Sequence, residues 1–282
     1  MTTKKYLLSL GVIASTFVST SFVTFSTAQQ GLQPIEATPD LEYQVGAVLY
    51  MQKAAEFRAL SYQAYNLARR QLDADFENKN LKKLPKAERK MPRAIVVDID
   101  ETVLDNSPSQ AYGIKTRTPF NLKDWYAWGE MRRAKALPGA VDFLNYANSK
   151  GVKIFYVSNR DEVQKQATID NLKSARFTDI SVENVMLRTA ESGKENRRKA
   201  IAVKYRIVLL MGDNLNDFSD VFERKSVADR FSETDKAKDL WGKKFIVLPN
   251  AMYGDWESAV YEYQRLTESQ KAEKRANALE LP

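Results

Sequence analysis

The feature that most constrains this chain is a short apolar run, residues 94–97, that leads into two carboxylates, Asp98 and Asp100. A run rich in β-branched residues indicates a buried strand of a parallel sheet. Side chains two residues apart on a strand point the same way, so both carboxylates would project from its carboxyl end, where open α/β sheets bind ligands. Two carboxylates ~4 Å apart repel by about 4 kcal/mol at an effective dielectric of about 20, so a proton, a lysine or a metal ion must offset the repulsion. The simpler alternative is a strand that runs into a solvated acidic turn. The residues that follow the other predicted strands distinguish the two interpretations.

Two absences from the sequence narrow the chemistry. Neither histidine nor cysteine occurs among the 282 residues. This excludes catalysis by Ser-His-Asp or Cys-His groups, zinc sites built from thiolates or imidazoles, and disulfides. Any metal must be held by oxygen, and any nucleophile must be a carboxylate, a hydroxyl or an amine. The basic residues behind the net charge of +7 are interleaved with acidic ones, which predicts an ordinary solubilising surface and no nucleic-acid binding.

Residues 1–28 have the layout of a secretory signal peptide. Lys4 and Lys5 come first, an apolar stretch follows at residues 6–25, and small residues end at Ala28. We therefore predict cleavage after Ala28 and an exported protein that is periplasmic, located on the outer surface, or secreted. Because the apolar stretch is rather long, an uncleaved membrane anchor is the alternative.

Apolar periodicity divides the remaining chain into helices and strands. Residues 38–89 form a helical region, in which a helix capped by Thr38 or Asp40 runs to about Phe76 and a polar linker follows. Residues 90–250 alternate strands at 94–98, 152–157, 182–187, 207–211 and 245–248 with helices at 139–149, 161–176 and 193–205. This alternation predicts right-handed crossovers, and thus an α/β core with a Rossmann-like parallel sheet. Residues 251–282 carry a charged helix from Trp256 to about Leu279, so the terminal segments would build a smaller helical domain.

Residues that can carry chemistry follow the predicted strands or begin a helix. Since the carboxyl ends of parallel strands share one edge, these residues should converge there. Each residue alone is ordinary, because a serine after a strand is usually a helix cap and a lysine at a helix start is usually solvated. Their combination in this order is hard to obtain by chance: Asp98, Asp100 and Thr102 after the first strand, Ser158 after the second, Lys194 at a helix start, and Asp213 with Asp217 after the fourth.

The short sequence motifs around these residues carry a family resemblance. The chain resembles the haloacid dehalogenase superfamily of phosphatases in its four motifs, which read here Asp98-Ile99-Asp100-Glu101-Thr102, Ser158, Lys194 and Gly212-Asp213-Asn214-x-x-Asp217. From about residue 45 to residue 260 it resembles, more narrowly, the class C acid phosphatases, or lipoprotein e type 5′-nucleotidases. That resemblance rests on Asp105-Asn106-Ser107-Pro108, Lys123-Asp124-Trp125, Pro138-Gly139-Ala140, Ser158-Asn159-Arg160, Gly212-Asp213-Asn214-Leu215-x-Asp217-Phe218 and Leu248-Pro249-Asn250-Ala251-x-Tyr253-Gly254-x-Trp256. Members often carry a lipobox cysteine, which this chain lacks, so the resemblance does not extend to lipid anchoring.

The resemblance implies a secreted, magnesium-dependent acid phosphatase that hydrolyses phosphate monoesters, including nucleoside 5′-monophosphates, through an aspartyl-phosphate. Asp98 would be the nucleophile. Asp100 would protonate the leaving alkoxide and then deprotonate the attacking water, and because it must be protonated when substrate binds, an acidic working pH follows. Lys194 would pair with Asp98 and a phosphoryl oxygen, and Ser158 with main-chain N–H groups would hold the other oxygens.

The same resemblance implies metal and substrate contacts. Mg²⁺ would be held by Asp98, the main-chain carbonyl of Asp100 and Asp213, with Asp217 in its outer shell. The substrate would contact Thr102, Asn159, Arg160, Trp125 and Tyr253, the last two by stacking on a base. A stacked base contributes ~1–3 kcal/mol and is discriminated poorly from other bases, so we expect broad specificity for nucleotides and aryl phosphates.

Two other functions are compatible with this sequence. A catalytically idle envelope or storage protein could keep the fold as a scaffold, although a scaffold has no need of Asp98. A phosphotransferase would use the same aspartyl-phosphate but hand the phosphoryl group to an alcohol. The expected partner is a small phosphomonoester, and because related enzymes are often dimers, the terminal helices could supply a homodimer interface.

Overall fold

A five-stranded parallel sheet lies at the centre of residues 41–282, the part of the chain that the computed structural model describes. Its strand order is β5-β4-β1-β6-β7, and β2 and β3 form a separate antiparallel pair. The parallel α/β fold predicted from the sequence is confirmed. The strands are β1 Arg93–Val97, β2 Leu104–Asp105, β3 Lys135–Ala136, β4 Lys153–Asp161, β5 Val185–Arg188, β6 Arg206–Gly212 and β7 Phe245–Val247.

Strand β1 is the middle strand, and helices and loops cover both of its faces. Successive side chains point to opposite faces of a sheet, so Ile95 and Val97 enter the larger apolar core while Ala94 and Val96 enter the smaller one. This two-sided burial explains why the run is continuously apolar rather than alternating. Beyond it the main-chain N–H of Asp98 donates to the carbonyl of Met211, which fixes the start of the loop at the carboxyl edge of the sheet.

The helices surround this sheet. Helix α2 packs along α6 and against β6 and β7, and α8 packs against β6. None of the helices described in residues 41–282 is both long and apolar enough to cross a bilayer. The predicted leader at residues 1–28 and the proposed caps Thr38 and Asp40 lie outside the described residues. The helices are α1 Val45–Lys53, α2 Ala55–Phe76, α3 Asn78–Leu81, α4 Ser107–Thr116, α5 Leu122–Glu130, α6 Ala140–Ser149, α7 Lys165–Ser174, α8 Glu195–Ala202, α9 Val227–Lys236, α10 Asp255–Val260 and α11 Glu268–Asn277.

Both predicted terminal helices are interrupted in the structure. The first breaks at Ala54, whose extended ψ of 128° separates α1, packed on α4, from α2, packed on α6. The second ends at Val260, because Glu262 and Tyr263 turn to positive φ, and α11 begins anew at a capping box formed by Thr267. Neither glycine nor proline marks either break in the sequence, and the prediction of single helices was wrong. The sequence patterns also gave no prediction for α9.

The second predicted strand is longer than the sequence indicated. The sequence predicts that the strand ends at residue 157, followed by Ser158, Asn159 and Arg160, but all three lie within β4, which continues to Asp161. The extension follows from tertiary pairing, because Asp161 pairs in register with Arg188 of β5, and the Arg188 guanidinium also binds the Asp161 carboxylate. These residues are therefore held by a sheet rather than by a loop.

Candidate active site

The loop after β1 carries the two carboxylates with which the sequence analysis began. Asp98 is buried, and burial raises the pKa of its carboxyl well above the usual value even though Lys194 acts in the opposite direction. The hydroxyl of Thr102 lies 3.3 Å from Asp98 Oδ2 and 3.2 Å from Asp213 Oδ1. From the N-terminal helical region, the Tyr65 hydroxyl donates to the carbonyl of Thr102 at 2.6 Å, so α2 anchors this loop.

Lys194 joins the first and fourth strand ends. Its ammonium group contacts Asp98 Oδ1 and lies 2.6 Å from Asp217 Oδ1. All three side chains are buried, with 6–7% of each exposed. Burial lowers the pKa of Lys194, but the adjacent carboxylates of Asp217 and Asp98 outweigh that effect and hold it above its usual value. The lysine is thus a fixed positive charge beside the predicted nucleophile.

Three carboxylates form a cluster that could hold a metal ion. Oxygens of Asp98, Asp213 and Asp217 all lie within 4.8 Å of one another. Burial raises the pKa of Asp213 to about 7, and the neighbouring charge of Asp217 acts in the same direction. One ammonium, that of Lys194, contacts two of these carboxylates, so a site with all three ionised has an excess of negative charge. An all-oxygen donor set with this charge fits a hard divalent cation.

The carboxylate of Asp100 has different hydrogen-bond partners from those of the three clustered carboxylates. Its carboxylate accepts from the hydroxyl of Ser158 at 2.9 Å, from the guanidinium of Arg160 at 2.8 Å and from the side-chain amide of Asn106 at 2.8 Å. The Ser158 hydroxyl in turn accepts the main-chain N–H of Arg160 at 3.0 Å. The structure therefore joins Ser158 and Arg160, both predicted to contact substrate, to the second carboxylate of the loop.

A cavity of about 690 Å³ opens above these groups. All the predicted site residues line it except Thr102 and Ser158, which are fully buried. Trp125 and Tyr253 are half-buried at its wall, and Trp125 lies beside the exposed ring of Phe120, with 6.2 Å between ring centroids. The cavity thus combines an acidic floor with an aromatic wall.

Residues 5–256 match the model of the haloacid dehalogenase superfamily, subfamily IIIB (acid phosphatase). The chain belongs to this subfamily. The resemblance to class C acid phosphatases that the motifs carry is confirmed, and the site described above is the candidate active site of a subfamily IIIB protein.

Solved structures agree with the family match. The class C acid phosphatase from Bacillus anthracis is 41% identical to this chain with a TM-score of 0.79, and the match covers 85% of this chain and 98% of that one. Its structure with tungstate bound gives the same identity and TM-score over 88% and 99% of the two chains. Among curated proteins, acid phosphatase 1 from Solanum lycopersicum is 30% identical over 133 residues. That match covers 43% of this chain and 50% of the tomato protein, so the chain matches half the length of this relative.

Three polar residues of this subfamily IIIB site were not singled out from the sequence. Asn250 donates to Asp213 Oδ2 at 2.8 Å, and it follows a predicted strand, the placement that singled out Ser158. Asn106 donates to Asp100, and in the sequence it stands out only as part of the motif Asp105-Asn106-Ser107-Pro108, which carries the family resemblance. Arg197 donates to the carbonyl of Ser158 at 2.6 Å and to Asn159 Oδ1 at 2.7 Å from the first turn of α8, for which the sequence offers no local signal.

Gly212, at the end of β6, is required by the close approach of Asp217. A Cβ atom there would lie 2.2 Å from Asp217 Oδ2 and 2.4 Å from its Cβ. We expect Gly212→Ala to displace Asp217, to lower phosphatase activity at least about tenfold, and to destabilise the protein by about 2 kcal/mol, because a buried ionic contact is distorted. The measurements are thermal unfolding and the rate of phosphate release.

Gly46→Ala is the matched control, since a Cβ at Gly46 in α1 meets no atom within 4 Å. It should leave both quantities unchanged or raise stability slightly. Wild-type activity and stability in Gly212→Ala would contradict the packing argument.

Proposed function

We propose that this protein is a magnesium-dependent acid phosphatase that hydrolyses phosphate monoesters, including nucleoside 5′-monophosphates, through an aspartyl-phosphate on Asp98. The observation that carries the proposal is the buried ammonium of Lys194, which contacts Asp98 at the floor of the cavity. A carboxylate meets a phosphate dianion only where positive charge converges on both. A scaffold protein gains nothing from such a buried ionic cluster, which is costly unless paired.

In the first half-reaction, a carboxylate oxygen of Asp98 attacks phosphorus and the bond from phosphorus to the ester oxygen breaks. Asp100 gives its proton to the departing alkoxide, so an alcohol leaves and Asp98 carries the phosphoryl group. Lys194 remains beside Asp98 and offsets the negative charge that builds up on the phosphoryl oxygens. Asn159 would contact the substrate, which its exposure at the cavity wall and its bond to Arg197 support.

In the second half-reaction, Asp100 takes a proton from a water molecule, which attacks phosphorus. The bond between phosphorus and the oxygen of Asp98 then breaks, and inorganic phosphate leaves. Asp100 ends the cycle protonated, as it began, so the reaction consumes one water and needs no further reactant. Because Asp100 must begin protonated, we expect the rate to be greatest at acidic pH.

A metal ion fits the acidic cluster, and we propose Mg²⁺. Asp98 and Asp213 would hold it together with the main-chain carbonyl of Asp100, and Asp217 would lie in the outer shell. When bound, Mg²⁺ would polarise a phosphoryl oxygen and neutralise charge on Asp98 and the phosphate. Few protein carboxylates and an all-oxygen environment suit Mg²⁺ better than zinc. Metal analysis of the dialysed protein that found zinc would overturn this assignment.

The aromatic wall supports nucleotides and aryl phosphates as the substrate class. Flat rings such as Trp125 and Tyr253 bind any base with similar strength. The relative from Bacillus anthracis has been crystallised with tungstate bound, and tungstate shares the tetrahedral oxyanion shape of phosphate.

The predicted leader at residues 1–28 supports export, which N-terminal sequencing of the mature protein from its native host would test.

The direct test is phosphate release at a mildly acidic pH of about 5.5, because the proposed mechanism needs an acid to protonate the leaving group. We would compare 5′-AMP, nicotinamide mononucleotide and p-nitrophenyl phosphate, each with Mg²⁺ and with EDTA. Release that EDTA stops and Mg²⁺ restores supports the proposal. No release from folded protein would overturn it in favour of a scaffold. Transfer of phosphate to an added nucleoside in place of release would indicate a phosphotransferase.

Trp125→Ala should reduce the preference for 5′-AMP over glycerol phosphate. Removing the ring removes ~1–3 kcal/mol of base stacking, so kcat/KM for 5′-AMP should fall by about 5- to 100-fold while that for glycerol phosphate changes little. The matched variant is Trp125→Phe, which keeps a flat ring and should keep most of the preference. An unchanged preference in Trp125→Ala would show that this residue does not stack on the base.

A further inference from the structure

The carboxylate of Asp100 is held from three sides by buried donors. Asn106 Nδ2 and Arg160 Nε bond its Oδ1 at 2.8 and 2.9 Å, and the Ser158 hydroxyl bonds its Oδ2 at 2.9 Å. Asn106 and Ser158 are fully buried, and 1% of the Arg160 side chain is exposed. By contrast, 17% of the Asp100 side chain is exposed, so the proposed acid faces the cavity while its supports lie behind it.

The orientation of the Asn106 amide is fixed by a second layer of contacts. Its Oδ1 accepts the indole N–H of Trp128 at 2.8 Å and a guanidinium N–H of Arg160 at 3.2 Å. Because both groups are donors only, the oxygen must face them and the NH₂ must face Asp100. A rotated amide would leave the indole N–H and the carboxylate without these partners. Trp128 therefore determines which way Asn106 points, although it does not touch Asp100.

The guanidinium of Arg160 is occupied by the protein itself. Its Nε bonds Asp100, its Nη2 bonds Asp100 and Asn106, and its Nη1 lies 3.3 Å from the Thr168 hydroxyl. It borders the cavity, but its burial leaves little surface for a substrate. Its contacts indicate a role exerted through Asp100.

We propose that Asn106, Arg160 and Trp128 are positioning residues that aim the proton of Asp100 at the leaving oxygen of the substrate. The inference rests on the proposed function and deepens it by adding a layer that controls one step, the protonation of the leaving group. General acid catalysis requires the acid within hydrogen-bond reach of the oxygen it protonates, so a loosely held Asp100 slows that step alone.

The leaving group separates this role from a general structural one. The 5′-oxygen of a nucleoside departs as a strongly basic alkoxide and needs the proton of Asp100, whereas p-nitrophenolate is stable enough to leave without it. The value of kcat/KM covers the steps up to formation of the aspartyl-phosphate, so it reports this proton transfer without the later hydrolysis. A positioning defect lowers kcat/KM for 5′-AMP much more than for p-nitrophenyl phosphate.

The experiment measures kcat/KM for both substrates in Trp128→Phe and Asn106→Ala. Trp128→Phe keeps a ring and removes one hydrogen bond, so we expect a loss of about 3- to 10-fold with 5′-AMP. Asn106→Ala removes a direct contact to the acid and should cost about 10- to 100-fold. With p-nitrophenyl phosphate both variants should stay within about twofold of wild type, because little acid catalysis is at stake.

Trp241→Phe is the matched control, because it also removes a half-buried indole N–H. This N–H donates to the carbonyl of Thr234 at 2.9 Å, and Trp241 packs on the smaller apolar core. Trp241→Phe should leave kcat/KM unchanged for both substrates. The inference is overturned if Trp128→Phe lowers kcat/KM equally for both substrates. It is also overturned if kcat/KM for 5′-AMP is unchanged or rises. If Asn106→Ala does not fold, Trp128→Phe decides. Wild-type protein that releases phosphate from neither substrate would overturn the proposed function itself, and this inference with it.

Discussion

Asp98→Asn should abolish phosphate release, with a loss on the order of 10³-fold or more. The amide that replaces the carboxylate has almost the same shape and can still accept from Lys194, but it has no anionic oxygen to form the bond to phosphorus. The loss should therefore appear in kcat with every substrate, whatever its leaving group. Phosphate release under Mg²⁺ saturation is the measurement.

The fold should survive this change. Burial raises the pKa of the Asp98 carboxyl, so desolvation disfavours its charged form, and a neutral amide at this position avoids that cost. Lys194 keeps Asp217 as a partner at 2.6 Å. We expect thermal unfolding of Asp98→Asn within a few degrees of wild type at neutral pH, which separates a chemical loss from a structural one.

An acid-quenched reaction with labelled substrate tests the intermediate itself. Wild-type protein should retain label on the denatured chain, and Asp98→Asn should retain none. Asp217→Asn is the matched variant, because it makes the same isosteric change at the other carboxylate that Lys194 contacts. It should weaken activity and still become labelled. Label retained by Asp98→Asn, or activity above about 1% of wild type, would assign the nucleophile elsewhere.

The sheet and the convergence of its strand ends could be predicted from the sequence because both depend on local signals. The two-sided burial of residues 94–97 makes β1 continuously apolar, and parallel strands necessarily share a carboxyl edge. Asp98, Lys194, Asp213 and Asp217, far apart in sequence, therefore meet as the sequence predicts. This prediction required only local sequence patterns and no information about contacts between residues distant in sequence.

The support of Asp100 could not be predicted in this way, because it depends on which distant side chains meet. Ser158 and Arg160 lie on β4 only because that strand continues along β5 to Asp161, a pairing that no local pattern reveals. The amide of Asn106 is oriented by Trp128, a residue of α5 that no local sequence pattern connects with Asp100. The break at Ala54 is similar, since two packing partners, α4 and α6, bend the N-terminal helices apart.

Removal of the metal should stop the reaction almost as completely as loss of the nucleophile. Without a divalent ion, three carboxylates share the cluster with one lysine, and a phosphate dianion brings further negative charge. Lewis-acid assistance is worth several kcal/mol, so EDTA should lower the rate by about 10³-fold. Excess Mg²⁺ should restore it. Asp213→Asn should require a higher Mg²⁺ concentration for half-maximal rate, because a neutral amide replaces a charged ligand.

The metal requirement should also depend on pH, with a sign set by Asp213. In metal-free protein, burial raises its pKa to about 7, so below that pH the carboxyl is mostly protonated and a metal must displace the proton. The Mg²⁺ concentration for half-maximal binding should thus rise as pH falls below about 7, by up to about tenfold per pH unit, and level off above it. Calorimetric titration with Mg²⁺ between about pH 5 and 8 measures this, and Asp213→Asn, which has no proton to displace there, should show a shallower slope. A half-saturating concentration that is constant over the range would mean that Asp213 is not a ligand.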